Sequence, residues 1–323
     1  MADNSKLYKY SSSPHVKSPK TTKWIMINVC IALLPACVMG IIYFGGLAAL
    51  ILALALVSAV ASEFVFLLIC GKTFKEIVKQ FDFTSCVTGL LIGMSIGTNY
   101  PLYAPVLGSI FAIIVVKMLF GGTGKNLANP AVTGRIFIFM SFQTVVGKWV
   151  DPSGNLVTGA TALAGIFETG TLPTLSNLQL LLGSGLAGCI GETCKIALIA
   201  GAIYLAILGI IDLKYPVIYV AVTGLFTVAL NGFNFAYFLP SILSGGLMLG
   251  ALFMSTDYTT TPNTSLGNVI YFVALGLLTA GLRQATKMEV VSFAILLMNL
   301  IVPLIDKFVV NKPFGNKKAK ENK

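Results

Sequence analysis

Long apolar runs separated by short polar segments occupy the sequence from residue 24 to residue 309. The runs are continuous rather than alternating, which excludes a membrane β-barrel and favours helices. Because about 20 apolar residues of helix cross a bilayer core, the pattern predicts an all-α polytopic membrane protein with about ten transmembrane helices. The predicted spans are residues 24–44, 46–70, 83–98, 102–120, 129–147, 185–211, 215–231, 238–255, 268–282 and 289–309.

Two features of the pattern predict an inverted repeat of five plus five helices. The third, fifth and ninth spans are short, and spans interrupted by Gly and Pro are typical of the broken helices of transporter folds. The stretches VTGLLIGMSIGTNYP (87–101) and LSGGLMLGALFMSTDYTTTP (243–262) are each followed by an apolar run and a polar element. The predicted organisation is a basic tail (1–23), a first five-helix half (24–147), a long loop (148–184), a second five-helix half (185–309) and a second basic tail (310–323).

The charge distribution predicts the orientation in the membrane. Only 11% of the residues are charged, against about a quarter in a soluble domain. The net charge of +10 is concentrated in the two tails, and the positive-inside rule puts both tails in the cytoplasm and the 148–184 loop outside. Arg283 and Lys287 then fall outside, against the rule, unless they lie in a buried polar loop. Basic tails beside membrane spans also leave no need for nucleic-acid binding.

Neither the cysteines nor the single histidine predicts a metal site. The six cysteines have no CxxC or other metal-ligand spacing, so we expect small buried apolar side chains. His15 lies in the polar tail. The first apolar block follows 23 polar residues without a small-residue cleavage site, so we expect a retained span rather than a signal peptide.

A polar stretch, VTGATALAG (157–165), interrupts the apolar sequence and carries two hydroxyls, those of Thr158 and Thr161. On the residues alone, such a turn before an apolar run is most often a helix N-cap, in which a threonine hydroxyl accepts from free backbone amides. A phosphoester linkage would also need a hydroxyl, and Gly159 and Ala160 are small enough for a modifying enzyme to approach.

The motifs SSSPHVKSPKTTKWIMINVCIALLPA, VTGLLIGM, FGGTGKNLANPAVTGR, TGATALA and EVVSFAILLMN occur in this order along the chain. In this the sequence resembles, over nearly its whole length, the NqrB/RnfD family of membrane subunits. The family serves the Rnf ion-translocating electron-transport complex and the sodium-pumping NADH:quinone oxidoreductase. The short N-terminal tail is more similar to that of the Rnf member of the family, RnfD, than to that of NqrB.

The resemblance implies covalent FMN on Thr161, linked through its phosphate by a separate flavin transferase, with Thr158, Gly159 and Ala160 as supporting positions. It implies a bacterial cytoplasmic-membrane subunit that works with Rnf subunits A, B, C, E and G in the lipid bilayer. The complex would couple electron transfer between ferredoxin and NAD⁺ to Na⁺ or H⁺ translocation. A second, non-covalent flavin (riboflavin) is suggested by analogy with NqrB.

The glycine-rich stretch FGGTGKNLANPAVTGR (120–135) supplies further cofactor candidates, Lys125, Asn126 and Arg135. A glycine-rich loop that opens a helix binds anions, and Pro130 suits a first helical turn. The stretch is not a Walker loop, because no Ser or Thr follows the Gly-Lys pair. The structural alternative is a re-entrant loop without a ligand.

Three carboxylates are candidates for an ion path. Glu63 and Glu192 lie inside predicted spans, where an ionisable group is costly and is a functional candidate by default. Asp257 lies in STDYTTTP (255–262), where Tyr258 replaces a proline of the family pattern. The alternative for the glutamates is pairing with a buried cation, such as Lys195 for Glu192.

Two other function classes stay open from the residues. An inverted five-span plan resembles that of urea-type channels, and fold alone does not determine function. A scaffold for other redox subunits is the other alternative. Both would leave Thr161 unmodified.

Overall fold

The computed structural model describes residues 20–145 and 175–310, and the backbone of two short strands at 148–150 and 156–158. Within these ranges nearly all regular structure is helical, as the apolar pattern predicts. The helices are α1 (Thr22–Phe44), α2 (Gly46–Ile69), α3 (Phe74–Gln80), α4 (Thr84–Met94), α5 (Tyr103–Met118), α6 (Pro130–Ser141), α7 (Asn177–Leu182), α8 (Lys195–Ile207), α9 (Lys214–Leu230), α10 (Phe238–Leu243), α11 (Leu247–Met254), α12 (Ser265–Thr286) and α13 (Val291–Phe308).

Four helices, α1, α2, α12 and α13, are long and apolar enough to cross a membrane. The bent pair Phe235–Leu243 and Leu247–Met254 would supply a fifth span, and α4, α5, α6, α8 and α9 are shorter apolar helices. These helices expose many large apolar side chains while polar ones are buried between them. The chain is therefore a multi-pass membrane protein.

Local sequence explains where the first helices begin and end. The Thr21 hydroxyl accepts from the backbone N–H of Trp24 at 3.2 Å and caps α1. Gly45 has φ 73° and its N–H donates to the Ile41 carbonyl at 2.8 Å. This left-handed residue, cheap only for glycine, closes α1 and lets α2 begin at the next position.

Glycines allow the apolar helices to approach backbone to backbone, as is usual in membranes. A Cβ at Gly89 of α4 would lie 2.8 Å from the Ala55 carbonyl oxygen of α2. A Cβ at Gly201 of α8 would meet the Ala32 carbonyl oxygen of α1. The Tyr204 hydroxyl also donates to Asn28 Oδ1 at 2.7 Å, so α1 and α8 run antiparallel.

Two helices contain π-helical turns. The second part of α5, Phe111–Met118, is π-helical, and its end is marked by the Leu119 N–H donating to the Ile114 carbonyl. The last part of α11, Gly250–Met254, is also π-helical. Such turns hold one extra residue and occur frequently at functional sites.

The structure corrects several span boundaries. The third and fifth spans, predicted at 83–98 and 129–147, are helical only over Thr84–Met94 and Pro130–Ser141. The sixth, 185–211, has a 3-10 turn at Ile190–Glu192 before α8. The ninth, 268–282, is a full 22-residue helix, so its expected shortness is wrong.

Two further features differ from the prediction. The eighth span, 238–255, is broken by a bend of 69° between α10 and α11. The fold is also not purely α, because Lys148–Val150 (β1) pairs antiparallel with Leu156–Thr158 (β2). Hydropathy does not reveal such a short hairpin, since its six residues carry no periodic signal.

The glycine packing predicts opposite effects for one substitution at two sites. Gly201→Ala pushes a methyl group against the α1 backbone, and we expect the free energy of unfolding to fall by about 1–3 kcal/mol. Gly281→Ala on α12 meets open space, and the better helix propensity of alanine should raise stability by about 0.5–1 kcal/mol. Thermal unfolding in detergent measures both, and a neutral Gly201→Ala would contradict the close approach.

Candidate functional site

A cavity opens at the end of the molecule where α1 begins. It holds about 100 Å³ of space and is open to solvent at its mouth. The walls come from α1, α4, α5, α6, α8, α11 and the loops after α5, α8 and α11. Its polar lining consists of Thr84, Thr88, Lys117, Thr123, Asn126, Asn129, Thr256, Asp257, Tyr258 and Thr259. We call it the loop cavity.

The glycine-rich loop places two buried amides on the cavity wall. Asn129 caps α6 by accepting from the N–H groups of Ala131 and Val132, and its Nδ2 donates to the Met254 carbonyl at 3.0 Å. Asn126 Nδ2 donates to the Ala128 carbonyl at 3.0 Å. Pro130 is the first residue of α6, as predicted. The amides are thus held by the backbone.

The other two candidates of this stretch lie elsewhere. Lys125 is exposed and is not part of the cavity lining. Arg135 lies on α6 and pairs with Glu192, away from the cavity. Only Asn126 of the three lines the cavity.

Asp257 and Asn126 both line the cavity and are linked through Thr259. Its Oδ1 accepts from the Thr259 N–H at 3.2 Å and its Oδ2 from the Thr259 hydroxyl at 2.9 Å. Asn126 Nδ2 also lies 3.4 Å from Thr259 Oγ1. The loops after α5 and after α11 are therefore linked by hydrogen bonds next to the cavity.

Lys117 connects the cavity with Glu63 inside the helix bundle. Its side chain is 3% exposed, and Nζ donates to Glu63 Oε1 at 2.8 Å and to Thr84 Oγ1 at 2.5 Å. Glu63 Oε2 is buried without a hydrogen-bond partner. The buried cation pairs with Glu63, which is the structural alternative considered for this carboxylate.

The same network reaches the loop before α4. Asp82 lies 4.0 Å from Lys117 Nζ and accepts from Thr84 and Thr123 hydroxyls at 2.5 and 2.6 Å. Burial acts to raise the pKa of the Asp82 carboxyl, but Lys117 and these hydrogen bonds outweigh it and hold the pKa below its usual range. Asp82 thus stays ionised beside the cavity at neutral pH.

A second charged group surrounds the break between α10 and α11. We call Arg135, Glu192, Lys195, Arg283 and Glu289 the break cluster. Arg135 Nη2 lies 3.1 Å from Glu192 Oε1, and Arg283 Nη2 lies 2.9 Å from Glu289 Oε2. The expected partner of Glu192, Lys195, instead donates to the Glu192 backbone carbonyl at 2.5 Å.

Glycines let these charges approach the broken backbone. A Cβ at Gly245 would collide with the Glu289 carboxylate, and a Cβ at Gly246 would collide with that of Glu192. Arg283 is fully buried and donates to the Ser241 carbonyl at 3.0 Å. It therefore satisfies the backbone at the break. This charge, which the positive-inside rule does not explain, lies inside the protein.

The Thr-Gly-Ala-Thr stretch, residues 158–161, lies largely outside the described residues. Gly159, Ala160 and Thr161 are not described, and Thr158 is the last residue of β2. The hairpin therefore ends at the first residue of the motif. In the described part of the chain, no three His, Cys, Asp or Glu side chains form a metal-binding group.

Sequence reasoning missed Lys117, Arg283 and Glu289 as members of these networks. The sequence does contain a signal for Lys117. It is a single base near the end of an apolar span, and an intramembrane charge needs a partner. The sequence contains no signal for the contacts of Arg283 and Glu289 with the helix break, because the break lies about 40 residues earlier in the chain.

The break cluster predicts a large difference between a buried and an exposed ion pair. Arg283→Met leaves Glu289 without its partner and the Ser241 carbonyl without its donor. We therefore expect the free energy of unfolding to fall by about 3–5 kcal/mol. Lys214→Met removes the similarly short Lys214–Asp212 pair, whose side chains are 57% and 65% exposed, and should change the stability little. Denaturant unfolding in detergent measures both losses.

The double variant Arg283→Met/Glu289→Gln controls for the uncompensated charge. It should recover part of the lost stability, because no unpaired carboxylate remains. Equal losses in Arg283→Met and Lys214→Met would contradict a supporting role of Arg283 at the break.

Comparison of the sequence with known proteins identifies the family of the chain. The sequence model of the NQR2, RnfD, RnfE family matches residues 9–315. The chain is 38% identical to the D subunit of the Na⁺-translocating ferredoxin:NAD⁺ oxidoreductase complex of Acetobacterium woodii, over 96% of each chain. It is 33% identical to the proton-translocating counterpart of Clostridium ljungdahlii over 97% of each chain. It is 29% identical to the D subunit of an ion-translocating oxidoreductase complex of Escherichia fergusonii, over 97% of this chain and 100% of the relative. With a match that spans nearly all of its length, the chain belongs to the NQR2, RnfD, RnfE family.

Proposed function

We propose that the chain is the D subunit (RnfD) of an Rnf-type complex, which couples electron transfer between ferredoxin and NAD⁺ to ion translocation across a bacterial cytoplasmic membrane. The observation that carries the proposal is the end-to-end match to relatives named as the D subunits of such complexes. Na⁺ and H⁺ both remain open as the coupling ion, because the names of the relatives include each. The chain would act with Rnf subunits A, B, C, E and G.

For the membrane arrangement we propose ten crossings with both termini in the cytoplasm. Four long helices, one bent pair and five shorter apolar helices supply that number. The start of α1 and the loop after α11 both line the cavity, and Asn263 of that loop donates to Asp306 near the end of α13 at 2.9 Å. Both ends of the helical region thus lie on one side, and the basic tails favour the cytoplasm.

The helix contacts support two inverted halves, 24–147 and 185–309, joined by an extracytoplasmic loop at 148–184. The first helices of the halves, α1 and α8, pack antiparallel, and the last ones, α6 and α13, also contact each other. Pairing of equivalent elements is what a two-fold axis in the membrane plane produces. The break cluster then lies between the halves.

For the flavin we propose covalent attachment of FMN to Thr161 by a flavin transferase. Support comes from the Thr-Gly-Ala-Thr motif and from family membership. The β1–β2 hairpin brings the chain to the motif at Thr158. Thr158, Gly159 and Ala160 would give the transferase a small, open approach to the acceptor hydroxyl.

For a second, non-covalent flavin we propose the loop cavity. It combines apolar walls with buried amides at Asn126 and Asn129, a fixed cation at Lys117 and a carboxylate at Asp257. Such a mixture of apolar surface and few placed polar groups is typical of cofactor sites. The amides would hold the ring edges, and the apolar walls would exclude water. A flavin there would supply electron-transfer chemistry, while the protein sets its position and electrostatics.

For ion movement, Glu63, Glu192 and Asp257 are the proposed carboxylates. Glu63 and Glu192 are each buried beside a cation. Glu63 Oε2 and Glu192 Oε1 also lack a hydrogen bond. A translocated cation would therefore have to compete with Lys117 or Arg135 for the carboxylate.

The covalent flavin predicts fluorescence that survives denaturing electrophoresis. With a co-expressed flavin transferase, the full chain should give a fluorescent band, and Thr161→Ala should abolish it. Thr169→Ala, on the same loop but outside the motif, should leave the band unchanged. Peptide mass analysis locates the adduct. A dark wild-type band with an active transferase would remove the redox assignment and favour a solute channel or a scaffold.

The proposed topology predicts the behaviour of reporter fusions. Green fluorescent protein after residue 323 should fluoresce, because it matures in the cytoplasm. Alkaline phosphatase inserted at residue 170 should be active, because that loop would lie outside. Phosphatase inserted at residue 124, in the predicted cytoplasmic loop, is the inactive control. Activity at residue 124 would contradict the ten-crossing arrangement.

A further inference from the structure

Among the described residues that line the loop cavity, Lys117 is the one cation. Hydrogen bonds to two other helices fix the position of its ammonium. Glu63 and Thr84 accept from its ammonium at 2.8 and 2.5 Å, and the side chain is 3% exposed. In such a dry environment a fixed charge acts far more strongly than at the surface.

The π-helical turns of α5 determine where this charge lies. Lys117 is the second-last residue of Phe111–Met118. The extra residue of a π turn rotates the later residues of the helix relative to a regular α-helix. In this register the stem of Lys117 is buried within the bundle, while its ammonium reaches Glu63 on α2, Thr84 on α4 and the cavity wall.

We propose that Lys117 is a positioning residue that raises the potential of the flavin in the loop cavity, because it stabilises the reduced, anionic form against the nearby carboxylates Glu63, Asp82 and Asp257. The inference rests on the proposed non-covalent flavin and goes beyond it by assigning the potential to one side chain. Uptake of two electrons and one proton leaves one negative charge on the flavin ring. A nearby cation stabilises that charge, and charge close to the ring nitrogens is a known means of tuning flavins.

Glu63 adds a second charge to the arrangement. It neutralises Lys117 while the flavin is oxidised, which reduces the cost of burying the ammonium. Removing the carboxylate while keeping the lysine therefore exposes the flavin to a stronger positive field. The proposal predicts opposite shifts of potential on removing Lys117 and on removing the Glu63 charge.

The test uses the full chain with Thr161→Ala, so that any bound flavin is non-covalent. The protein is purified in detergent with riboflavin, and flavin is released by acid and counted. Dithionite titration followed by flavin absorbance then gives the midpoint potential. In this background Lys117→Met should lower the preference for reduced over oxidised flavin about tenfold, which is about 30 mV for a two-electron couple. Lys117→Arg should restore it, and Glu63→Gln should raise the potential.

Two further variants keep the test decisive. Lys117→Met/Glu63→Gln removes both charges, so its potential should lie between those of Glu63→Gln and Lys117→Met, and Glu63→Gln alone tests the field of Lys117 if Lys117→Met fails to fold. Lys125→Met removes an exposed lysine of the neighbouring loop and should leave the potential unchanged.

The outcomes separate the cavity flavin from the role of Lys117. Absence of releasable flavin in the Thr161→Ala protein would overturn the cavity flavin and the role of Lys117 together. Bound flavin whose potential in Glu63→Gln, and in Lys117→Met where that variant folds, equals that of the parent would overturn the role of Lys117 alone. So would a potential that falls equally in Lys125→Met.

Discussion

Inside a bilayer every backbone polar group and every charge must find its partner within the protein, and this requirement accounts for the interrupted helices of this chain. Where α10 ends and α11 begins, two carbonyls left by the break face Arg283, at 3.0 Å for Ser241 and 3.5 Å for Ser244. Where the loop after α5 enters the bundle, Asn129 caps α6 and also bonds the Met254 carbonyl. Irregular backbone is possible at these points because a buried side chain replaces water.

The same requirement organises the charges into two groups at different places. Lys117, Glu63 and Asp82 lie at the end of the molecule where the cavity opens. The break cluster surrounds Gly245 and Gly246 between the two sets of helices. Each group includes a carboxylate oxygen without a hydrogen bond. Buried pairs of this kind contribute little net stability when intact, but removal of one partner leaves an uncompensated buried charge and is costly.

Much of the architecture is readable from hydropathy, because long apolar runs have one stable state in a membrane. Helices α1, α2 and α13 lie close to their predicted bounds, and Pro130 begins α6 as its geometry requires. The sequence does not predict the bend between α10 and α11, because Gly245 and Gly246 resemble the other small residues of that apolar run. The cavity was not readable either. Asn126 and Asp257 are both candidates from the sequence, but the link between their loops joins positions 133 residues apart.

The π-helical turns of α5 make this protein sensitive to chain length rather than only to side-chain identity. Each residue of a regular α-helix turns by about 100°, so loss of one residue from the regular part of α5, Tyr103–Ile110, would rotate everything after it by that angle. The ammonium of Lys117 would then leave Glu63 and Thr84. An insertion or deletion that leaves hydropathy and composition unchanged would thus disconnect the loop cavity from the bundle's carboxylate. Within this segment the number of residues is itself a functional property.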